Sequence, residues 1–405
     1  MADARSPNAR GWIEHLGKRP DFDLDLISLF PADPLPNVRL HVMPLLTVSR
    51  IGSLGQASVR PKVSEKSHHK GTSGRLRQAW WAYFAPICVG LKRSRLRQLL
   101  REVDPDLIHA MRIPVEGEAV GLARGSVPLI VSTWGNDFTL WSKFPLHRLL
   151  TKHVLARTDL LLCDSDRDID LARGLGYPAE RPAYNLPVAG GVDTRVFFAG
   201  QDRVLRSELG VQPDTMFILN PRGLRPYFRS DTFLAAASVV AQARPNLVFG
   251  WAGLAPEQIA EAKDLVARSG TQNVLLLEQR SHESVARLFR IANIVVSPSE
   301  HDGIPNTLLE AMACGCFPIA SDLPSIREWV THGRNGLLFD PHVPEQLINA
   351  LLTALDGAEL RQRAGQLNQT MILERASRDA VMAQAEAFYR SLIARSESGL
   401  SADSS

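Results

Sequence analysis

One stretch of the chain, residues 294–315, places a strand, a glycine-containing turn and a helix in direct succession. The run Ile294-Val295-Val296 is typical of a buried strand, and Leu308 to Ala313 repeats apolar residues at helical spacing. Pro305 stands where the first turn of a helix accepts proline, because an N–H would be unpaired there anyway. The pattern therefore predicts a helix N-terminus beside a strand end, where free amides and the helix dipole favour phosphate.

Apolar β-branched runs alternate with helical segments along the chain, which indicates α/β layers around parallel sheets. The candidate strands are Leu24–Ile27, Asp106–His109, Leu129–Ser132, Leu160–Asp164, Phe217–Asn220, Val248–Ala252, Val274–Leu277, Ile294–Ser297 and Phe317–Ala320. A chain of 405 residues is long enough for two or three domains. A net charge of +3 is too small to indicate nucleic acid, and we predict no nucleic-acid partner.

The segment Asp302-Gly-Ile-Pro-Asn-Thr-Leu-Leu-Glu310-Ala-Met-Ala resembles the signature of the family-4 (group 1) retaining glycosyltransferases. The family form is Glu-Gly-Leu-Pro-Asn-Val-Leu-Leu-Glu-Ala-Met-Ala, so Asp302 is one methylene shorter than the usual residue. The resemblance implies the GT-B fold, an α/β fold of two Rossmann-like, doubly wound parallel-sheet domains that face a cleft. A surface turn leading into an ordinary amphipathic helix is the alternative.

The same resemblance implies a donor site for a nucleotide-diphosphate sugar. In the family, the second acid of the signature, here Glu310, binds the ribose hydroxyls. Asp302 would lie near the donor sugar, with Glu300 as a substitute for the longer acid. The loop and first helical turn would contact the sugar and the diphosphate through Gly303, Ile304, Asn306 and Thr307.

A second loop, from Pro221 to Ser230, follows the candidate strand that ends at Asn220. In the family, an arginine and a lysine in this loop clamp the donor diphosphate and stabilise the leaving group without a metal. Arg222 matches the arginine, but Tyr227 stands at the lysine position, so Arg229 or Arg225 would take that role. A basic, solvated loop is the alternative. The next helix is expected to begin near Ser230 or Asp231, since both are good N-caps.

The N-terminal half is expected to bind the acceptor. Trp134, Gly135, Asn136 and Asp137 follow the candidate strand Leu129–Ser132, and ligands of open parallel sheets lie at that edge. They resemble the family's loop that faces the reacting sugar, which makes Asp137 a candidate general base; a helix N-cap is the alternative. His109 and Glu116 also match family positions near the cleft, although a histidine after a strand is more often structural.

The resemblance divides the chain into an acceptor domain (1–195), a donor domain (196–376), and a crossing helix with a disordered tail (377–405). The stretch Asn185 to Asp193, with Phe197, resembles the family's hinge motif. Family members open with a strand, but no apolar run precedes the loop and helix predicted for Ser6 to Leu16. We expect that the first strand is missing or truncated, or that the true start lies upstream of Met1.

The segment Arg60 to Arg101 surrounds an apolar core, Ala79 to Val89, with basic residues. Basic residues beside interfacial aromatic residues favour anionic lipid surfaces, so peripheral contact with a membrane is one prediction. A core helix with basic ends is the alternative. No signal peptide or membrane-spanning run is visible, which indicates a cytoplasmic protein, with any membrane contact at the inner face.

Four cysteines, Cys88, Cys163, Cys314 and Cys316, lack paired zinc spacing and are expected to be reduced. We predict no cofactor and no essential metal.

The predicted function is a retaining, metal-independent glycosyltransferase of hexosyltransferase type. It would act on a glycan or lipid-linked acceptor in cell-envelope or exopolysaccharide biosynthesis. The alternatives are a GT-B sugar-nucleotide epimerase and a non-catalytic relative that binds nucleotide sugar or a partner protein. The missing first strand, Asp302 and the absent lysine favour the non-catalytic alternative, whereas Glu310 together with Arg222 favours the enzyme.

Overall fold

The structure, a computed structural model, describes residues 1–44, 80–187 and 189–402. The chain divides into two compact units, one formed by Met1–Ala189 with Glu386–Ser405 and the other by Gly190–Ala385. The sequence places the domain limits at 195 and 376, whereas the units divide after Ala189 and after Ala385. Within the C-terminal unit, the Asp193 carboxylate pairs with Arg378 at 3.0 Å, so the hinge segment contacts the start of the last helix.

The described residues of the N-terminal unit, 1–44 and 80–187, form six parallel strands. Strands β1 (Asp25–Ser28) and β2 (Arg39–Val42) form one pair. Strands β3 (Ile108–Met111), β4 (Leu129–Thr133), β5 (Leu160–Cys163) and β6 (Ala183–Asn185) form a second sheet in that order. The helices of this unit are α1 (Pro7–Leu16), α2 (Ala85–Val103), α3 (Glu118–Ala123), α4 (Pro145–Arg157) and α5 (Asp166–Gly174), with a π-helical turn over Trp80–Phe84.

Met1 and Ala2 occupy the place of the expected first strand. The Met1 amino group donates to the His109 carbonyl at 2.5 Å, and the Met111 N–H donates to the Met1 carbonyl at 2.9 Å. On the other side, the Ala2 N–H donates to the Ile27 carbonyl at 3.2 Å. Two residues therefore connect β1 with β3, which satisfies ladder groups that would otherwise lack partners.

The C-terminal unit is built on six parallel strands, β7 (Met216–Asn220), β8 (Leu247–Leu254), β9 (Val274–Glu278), β10 (Ile294–Ser297), β11 (Phe317–Ser321) and β12 (Leu337–Phe339). Its helices are α6 (Arg203–Glu208), α7 (Ser230–Ala243), α8 (Ile259–Ser269), α9 (His282–Ile291), α10 (Asn306–Ala313), α11 (Pro324–Arg327), α12 (Pro344–Asp356) and α13 (Ala358–Arg375). Helix α14 (Arg378–Ala402) begins here, and its part from Glu386 onward belongs to the N-terminal unit.

The strand order of the C-terminal sheet is β12-β11-β10-β7-β8-β9. Phe217 and Leu219 of β7 pack in one apolar cluster and Ile218 packs in another, as expected when alternate residues face opposite sides of a covered sheet. The direction of winding reverses between β7 and β10. Ligands of open α/β sheets bind at such a switch point, outside the carboxyl ends of the strands.

All nine candidate strands are present, with small shifts at their ends. The sequence missed β2, β6 and β12, because β2 and β6 lack a buried apolar run and β6 and β12 have only three residues. Three local predictions are wrong. Helix α7 begins at Ser230, as expected, but Arg229 rather than Ser230 or Asp231 is its N-cap, and Pro305 is the N-cap of α10 rather than a residue of its first turn. The predicted disordered tail is helical as far as Ala402.

All four cysteines are free thiols, and three of them are buried. Across the described residues, we find no helix with the length and apolar character needed to cross a membrane.

Candidate active site

Arg222 lies in the loop that follows β7, at the switch point of the C-terminal sheet. Its guanidinium donates to the Asp302 carboxylate at 2.7 Å and to the Thr307 hydroxyl at 3.3 Å. The same group lies over the Phe228 ring, 4.1 Å from its centroid. Arg222 therefore connects the loop after β7 with the loop after β10 and with the first turn of α10.

Gly223 fixes the path of this loop. A Cβ atom on Gly223 would lie 2.3 Å from the Gly253 carbonyl oxygen, closer than atomic contact allows. The Trp251 indole N–H donates to the Arg222 carbonyl at 2.9 Å, and the Arg222 N–H donates to the Asn220 side-chain oxygen at 2.9 Å. The backbone on both sides of Arg222 is thus held by β7 and β8.

Glu310 lies three residues after Thr307 on α10, so the two side chains share one helix face. Its side chain is buried, and burial raises the pKa of the Glu310 carboxyl to about 7. The positive charge of Arg378 offsets this rise only in part. A carboxylate held in this way needs hydrogen-bond donors from a ligand before it is fully stable as an anion.

Arg229 forms a second basic group beside the loop after β10. Its guanidinium pairs with Asp231 at 2.7 Å and with Glu300 at 3.1 Å, and it lies 2.6 Å from a ring nitrogen of His342. Arg225, in contrast, is exposed and donates to the Tyr227 hydroxyl at 3.1 Å. Of the two candidates for the missing lysine, Arg229 is the one that contacts the acidic loop.

Several polar atoms at this edge of the sheet are buried and have no hydrogen-bond partner in the part of the chain that the structure describes. They are the Asn220 amide nitrogen, the Arg222 Nε atom and the hydroxyls of Ser297 and Ser299. All of them follow or end β7 and β10. Buried polar groups in proteins are nearly always paired, so this concentration indicates a polar ligand.

The other predicted donor residues lie in the same segment. Gly303 and Ile304 are buried, and Asn306 and Thr307 are half-buried at the start of α10. No side-chain cap bonds the α10 N-terminus within the described chain. This helix end is positive and favours an anion.

The predicted acceptor-side residues lie in the N-terminal unit. One carboxylate oxygen of Asp137 accepts the backbone N–H groups of Ile113 (3.0 Å) and Trp134 (3.1 Å), and burial raises the pKa of the Asp137 carboxyl to about 6. No helix begins at Asp137, so the alternative reading as a helix N-cap is wrong; the next helical segment is a short 3₁₀ turn over Trp141–Lys143. Asp137 ties the loops after β3 and β4 together.

Glu116 lies in the loop after β3 and Trp134 in the loop after β4. Arg112, which directly follows β3, places its side chain near both of these side chains. The Arg112 guanidinium is over the Trp134 ring, 5.2 Å from its centroid, and its Nε atom is 3.9 Å from a Glu116 carboxylate oxygen. Burial raises the pKa of the Glu116 carboxyl to about 7. The sequence analysis did not select Arg112. Its position directly after a predicted strand could have indicated it, because ligands of parallel sheets lie at that end of the strands.

Gly135 and Asn136 use their backbone carbonyls to hold the loop after β4. The Gly135 carbonyl accepts from the Thr139 hydroxyl at 3.1 Å and from Arg167 at 3.2 Å, and the Asn136 carbonyl accepts the Leu140 N–H at 3.0 Å.

His109 has its two ring nitrogens engaged, at 2.8 Å from the Tyr389 hydroxyl and 2.6 Å from the Ser132 hydroxyl. Its ring also packs edge-on against Trp12 at 5.2 Å. Burial lowers the pKa of His109 to about 3, so the imidazole is neutral. These contacts give His109 a structural role in holding helix α14 against β3.

In the described parts of the chain, no group of three or more His, Cys, Asp or Glu side chains could hold a metal ion. The expectation of a reaction without an essential metal stays a prediction.

Two family models match the chain. The model described as "Glycosyl transferases group 1" matches residues 201–371, and that described as "Glycosyl transferase 4-like domain" matches residues 53–185. The first covers the Arg222 loop, Asp302 and Glu310; the second covers Arg112, Glu116 and the loop from Trp134 to Asp137.

Curated relatives include proteins named D-inositol 3-phosphate glycosyltransferase. That of Segniliparus rotundus is 26% identical over 294 residues, which cover 70% of this chain and 61% of the relative. That of Paenarthrobacter aurescens is 29% identical over 186 residues, which cover 44% of this chain and 45% of the relative. The chain thus spans about half the length of these relatives.

Solved structures share the fold. Sucrose-phosphate synthase from Thermosynechococcus elongatus aligns with a TM-score of 0.74 at 17% identity, covering 97% of this chain and 95% of that one. Anabaena HepE, solved in complex with UDP-glucose, aligns with a TM-score of 0.61 at 22% identity, covering 77% and 82%. With family models matching both halves and a shared α/β architecture, this chain belongs to the group 1 glycosyltransferases.

Proposed function

We propose that the protein transfers a sugar, with retention of anomeric configuration, from a nucleotide-diphosphate sugar to a glycan or lipid-linked acceptor. The observation that carries the proposal is the switch point of the C-terminal sheet. There Arg222 contacts Asp302 and Thr307, the buried Glu310 lies on the same helix face, and several buried polar atoms lack partners. HepE, whose structures contain UDP and UDP-glucose, supports a donor of this class.

Each donor-side residue has a role in this proposal. Glu310 accepts hydrogen bonds from the ribose hydroxyls, and Asp302 lies near the sugar. Negative charge develops on the leaving diphosphate, where Arg222, Arg229 and the α10 N-terminus stabilise it. Because these groups are fixed before the donor binds, they need little reorganisation during the reaction.

The acceptor belongs to the same proposal. Cell-envelope or exopolysaccharide biosynthesis is the process that a glycan or lipid-linked acceptor would serve. The names of the curated relatives make inositol 3-phosphate a second candidate acceptor. A sugar-nucleotide epimerase would act on the donor alone and leave no glycosylated product, and a non-catalytic relative would bind nucleotide without turnover.

A thermal-shift panel tests the donor site. UDP, GDP, ADP and their sugars are added to the wild type and to Glu310→Ala, with Glu374→Ala, an exposed glutamate on α13, as control. A nucleotide at a hundred times its Kd adds about 2.7 kcal/mol of stability. Loss of the bonds to a charged carboxylate weakens binding by about ten- to a hundredfold.

We expect one base class to stabilise the wild type and the control fully, and to stabilise Glu310→Ala by about half as much or less. Release of free nucleotide from the donor sugar, with or without an acceptor, then distinguishes an enzyme from a binding protein. A well-folded wild type that responds to no nucleotide would refute the proposed function.

An anionic membrane surface is a further proposed partner. Phe84, Ile87 and Leu91 are exposed by 57%, 52% and 79%, and their spacing places them along one stripe at the start of α2. Helix α2 carries five basic residues and one acidic residue, and α4, which packs beside it, carries no acidic residue. Apolar side chains flanked by basic ones match an anionic lipid interface. The part of the predicted segment from Arg60 to Ala79 lies outside the described residues.

Vesicle sedimentation at low salt tests this partner. We expect the wild type to sediment with phosphatidylglycerol-containing vesicles and to be released by salt, whereas Leu91→Glu stays in solution. Leu373→Glu, at another exposed leucine, which lies on α13, serves as control. Binding that is unchanged in Leu91→Glu, or absent in the wild type, would refute the membrane contact.

A further inference from the structure

The loop between β3 and α3 has a strained backbone. Arg112 and Val115 have φ angles of 105° and 74°, which side chains other than glycine rarely adopt. Such strain persists only where the surrounding structure enforces it, and it is concentrated at functional sites. The loop leaves the carboxyl end of β3, next to the place where Met1 and Ala2 connect β3 with β1. The order of the chain reverses there, so this is the switch point of the N-terminal unit.

Three buried polar atoms at this place have no hydrogen-bond partner among the described residues: the Arg112 Nε atom, a Glu116 carboxylate oxygen and the Trp134 indole nitrogen. The Glu116 side chain is only 3% exposed. The 3.9 Å between Arg112 Nε and the Glu116 oxygen is too long for a hydrogen bond. One acceptor and two donors are therefore held close together without satisfying each other.

The charges around these atoms argue against a phosphate ligand. Arg112 has two buried carboxylates nearby, Glu116 and Asp137, and its positive charge acts on both. The Met1 amino group and the Asp3 carboxylate also act on Glu116, with opposite signs. Among the described residues, Arg5 is paired with Asp3 at 3.0 Å and Arg167 is paired with Asp168 at 2.8 Å. A phosphate would thus meet at least as much negative as positive charge.

We propose that Arg112, Glu116 and Trp134 form an acceptor subsite that binds hydroxyl groups of a neutral sugar and discriminates against sugar phosphates. The inference rests on the proposed function and specifies its acceptor. A carboxylate accepts a hydroxyl proton, whereas the guanidinium and the indole N–H donate to hydroxyl oxygens, so one sugar satisfies all three atoms. A sugar phosphate would bring its negative charge close to the Glu116 and Asp137 carboxylates, which disfavours its binding.

Asp137 has a different role in this inference. Its carboxylate positions the Ile113 and Trp134 backbone, and thereby the Arg112 loop, without contacting the acceptor. Burial raises the pKa of Glu116 to about 7, and hydroxyl donors favour its charged form. Sugar binding should therefore strengthen from pH 5.5 to pH 8.

Saturation-transfer NMR on the full chain tests the subsite without needing the donor. The probes are the methyl α-glycosides of glucose, galactose and mannose, with glucose 6-phosphate and inositol 3-phosphate for comparison. We expect at least one neutral glycoside to give signals that Arg112→Ala and Glu116→Gln weaken by tenfold or more, while the phosphates give none. Glu14→Gln, an exposed glutamate on α1, is the control.

The UDP-induced thermal shift is measured on the same variants. Its retention shows that they are folded, and its absence in the wild type would count against the donor site alone. Equal or stronger signals from the phosphates, signals from neither class, or glycoside signals unchanged in both variants would overturn the inference.

Discussion

At the residue scale, Glu310 combines burial with a predicted role that requires its charge. The free protein holds an extra proton on this carboxyl between its ordinary pKa of 4.5 and the raised value of about 7. Because the folded state binds more protons than the unfolded state in this window, Glu310 makes stability fall as pH rises from about 5 to 7. A nucleotide whose ribose hydroxyls bond the carboxylate would favour the charged form.

Nucleotide affinity should therefore depend on the protonation of Glu310. We expect UDP to bind the wild type about thirtyfold more weakly at pH 5.5 than at pH 8, from a pKa near 7. Calorimetric titration measures this change. Glu310→Gln serves as the control. Its affinity for UDP should change with pH only through protonation of the nucleotide's own phosphate. Parallel pH profiles for the two proteins would show that Glu310 does not touch the ligand.

At the element scale, the loops after β7 and β10 form one unit because Arg222 contacts Asp302 and Thr307 across them. Their approach depends on a close passage of backbone at Gly223, beside the Gly253 carbonyl. The site is thus positioned by the pairing of β7 with β8 as well as by the signature segment.

Gly223→Ala should displace this loop. Insertion of a methyl group into a packed position costs about 1–3 kcal/mol, and we expect loss of nucleotide binding in addition. Denaturant unfolding and the thermal shift with UDP measure the two effects. Gly90→Ala, where α2 leaves open space around the added Cβ, is the control and should be stabilised by about 0.5–1 kcal/mol. Normal nucleotide binding by Gly223→Ala would contradict this account of the loop.

At the scale of the whole molecule, the last part of α14 belongs to the N-terminal unit. The Glu386 carboxylate accepts from Arg19 at 2.9 Å and lies 2.8 Å from a ring nitrogen of His15. Three residues later, the Tyr389 hydroxyl meets His109 on β3. The end of the chain therefore completes the unit in which the chain starts.

Glu386→Ala should loosen this closure without affecting the donor domain. The Glu386 carboxylate is charged, and its partner Arg19 is partly exposed. Loss of its hydrogen bonds should therefore lower the free energy of unfolding by about 1–3 kcal/mol. Hydrogen exchange followed by mass spectrometry should show faster exchange in α1 and in residues 386–394, with unchanged exchange from β7 to α13. Glu374→Ala is the control, and equal exchange in both variants would contradict the prediction.

The sequence alone determined the local elements. The strand, turn and helix from Ile294 to Ala313, and each of the nine candidate strands, follow from apolar periodicity and turn residues, which act between near neighbours. The family signature then identified Asp302 and Glu310, and the second loop identified Arg222. The short strands β2, β6 and β12 were not predicted, because pairing with neighbouring strands, rather than their own residues, stabilises them.

Only the tertiary structure decided which of these elements lie side by side. The parallel pairing of β7 with β10 brings Arg222 to Asp302, 80 residues further along the chain. Likewise, β3 and β4 bring Arg112 to Trp134, and two residues at the N-terminus connect β1 with β3 where the family has a whole strand. These contacts depend on strand order and burial across long sequence separations. No pattern of neighbouring residues contains that information.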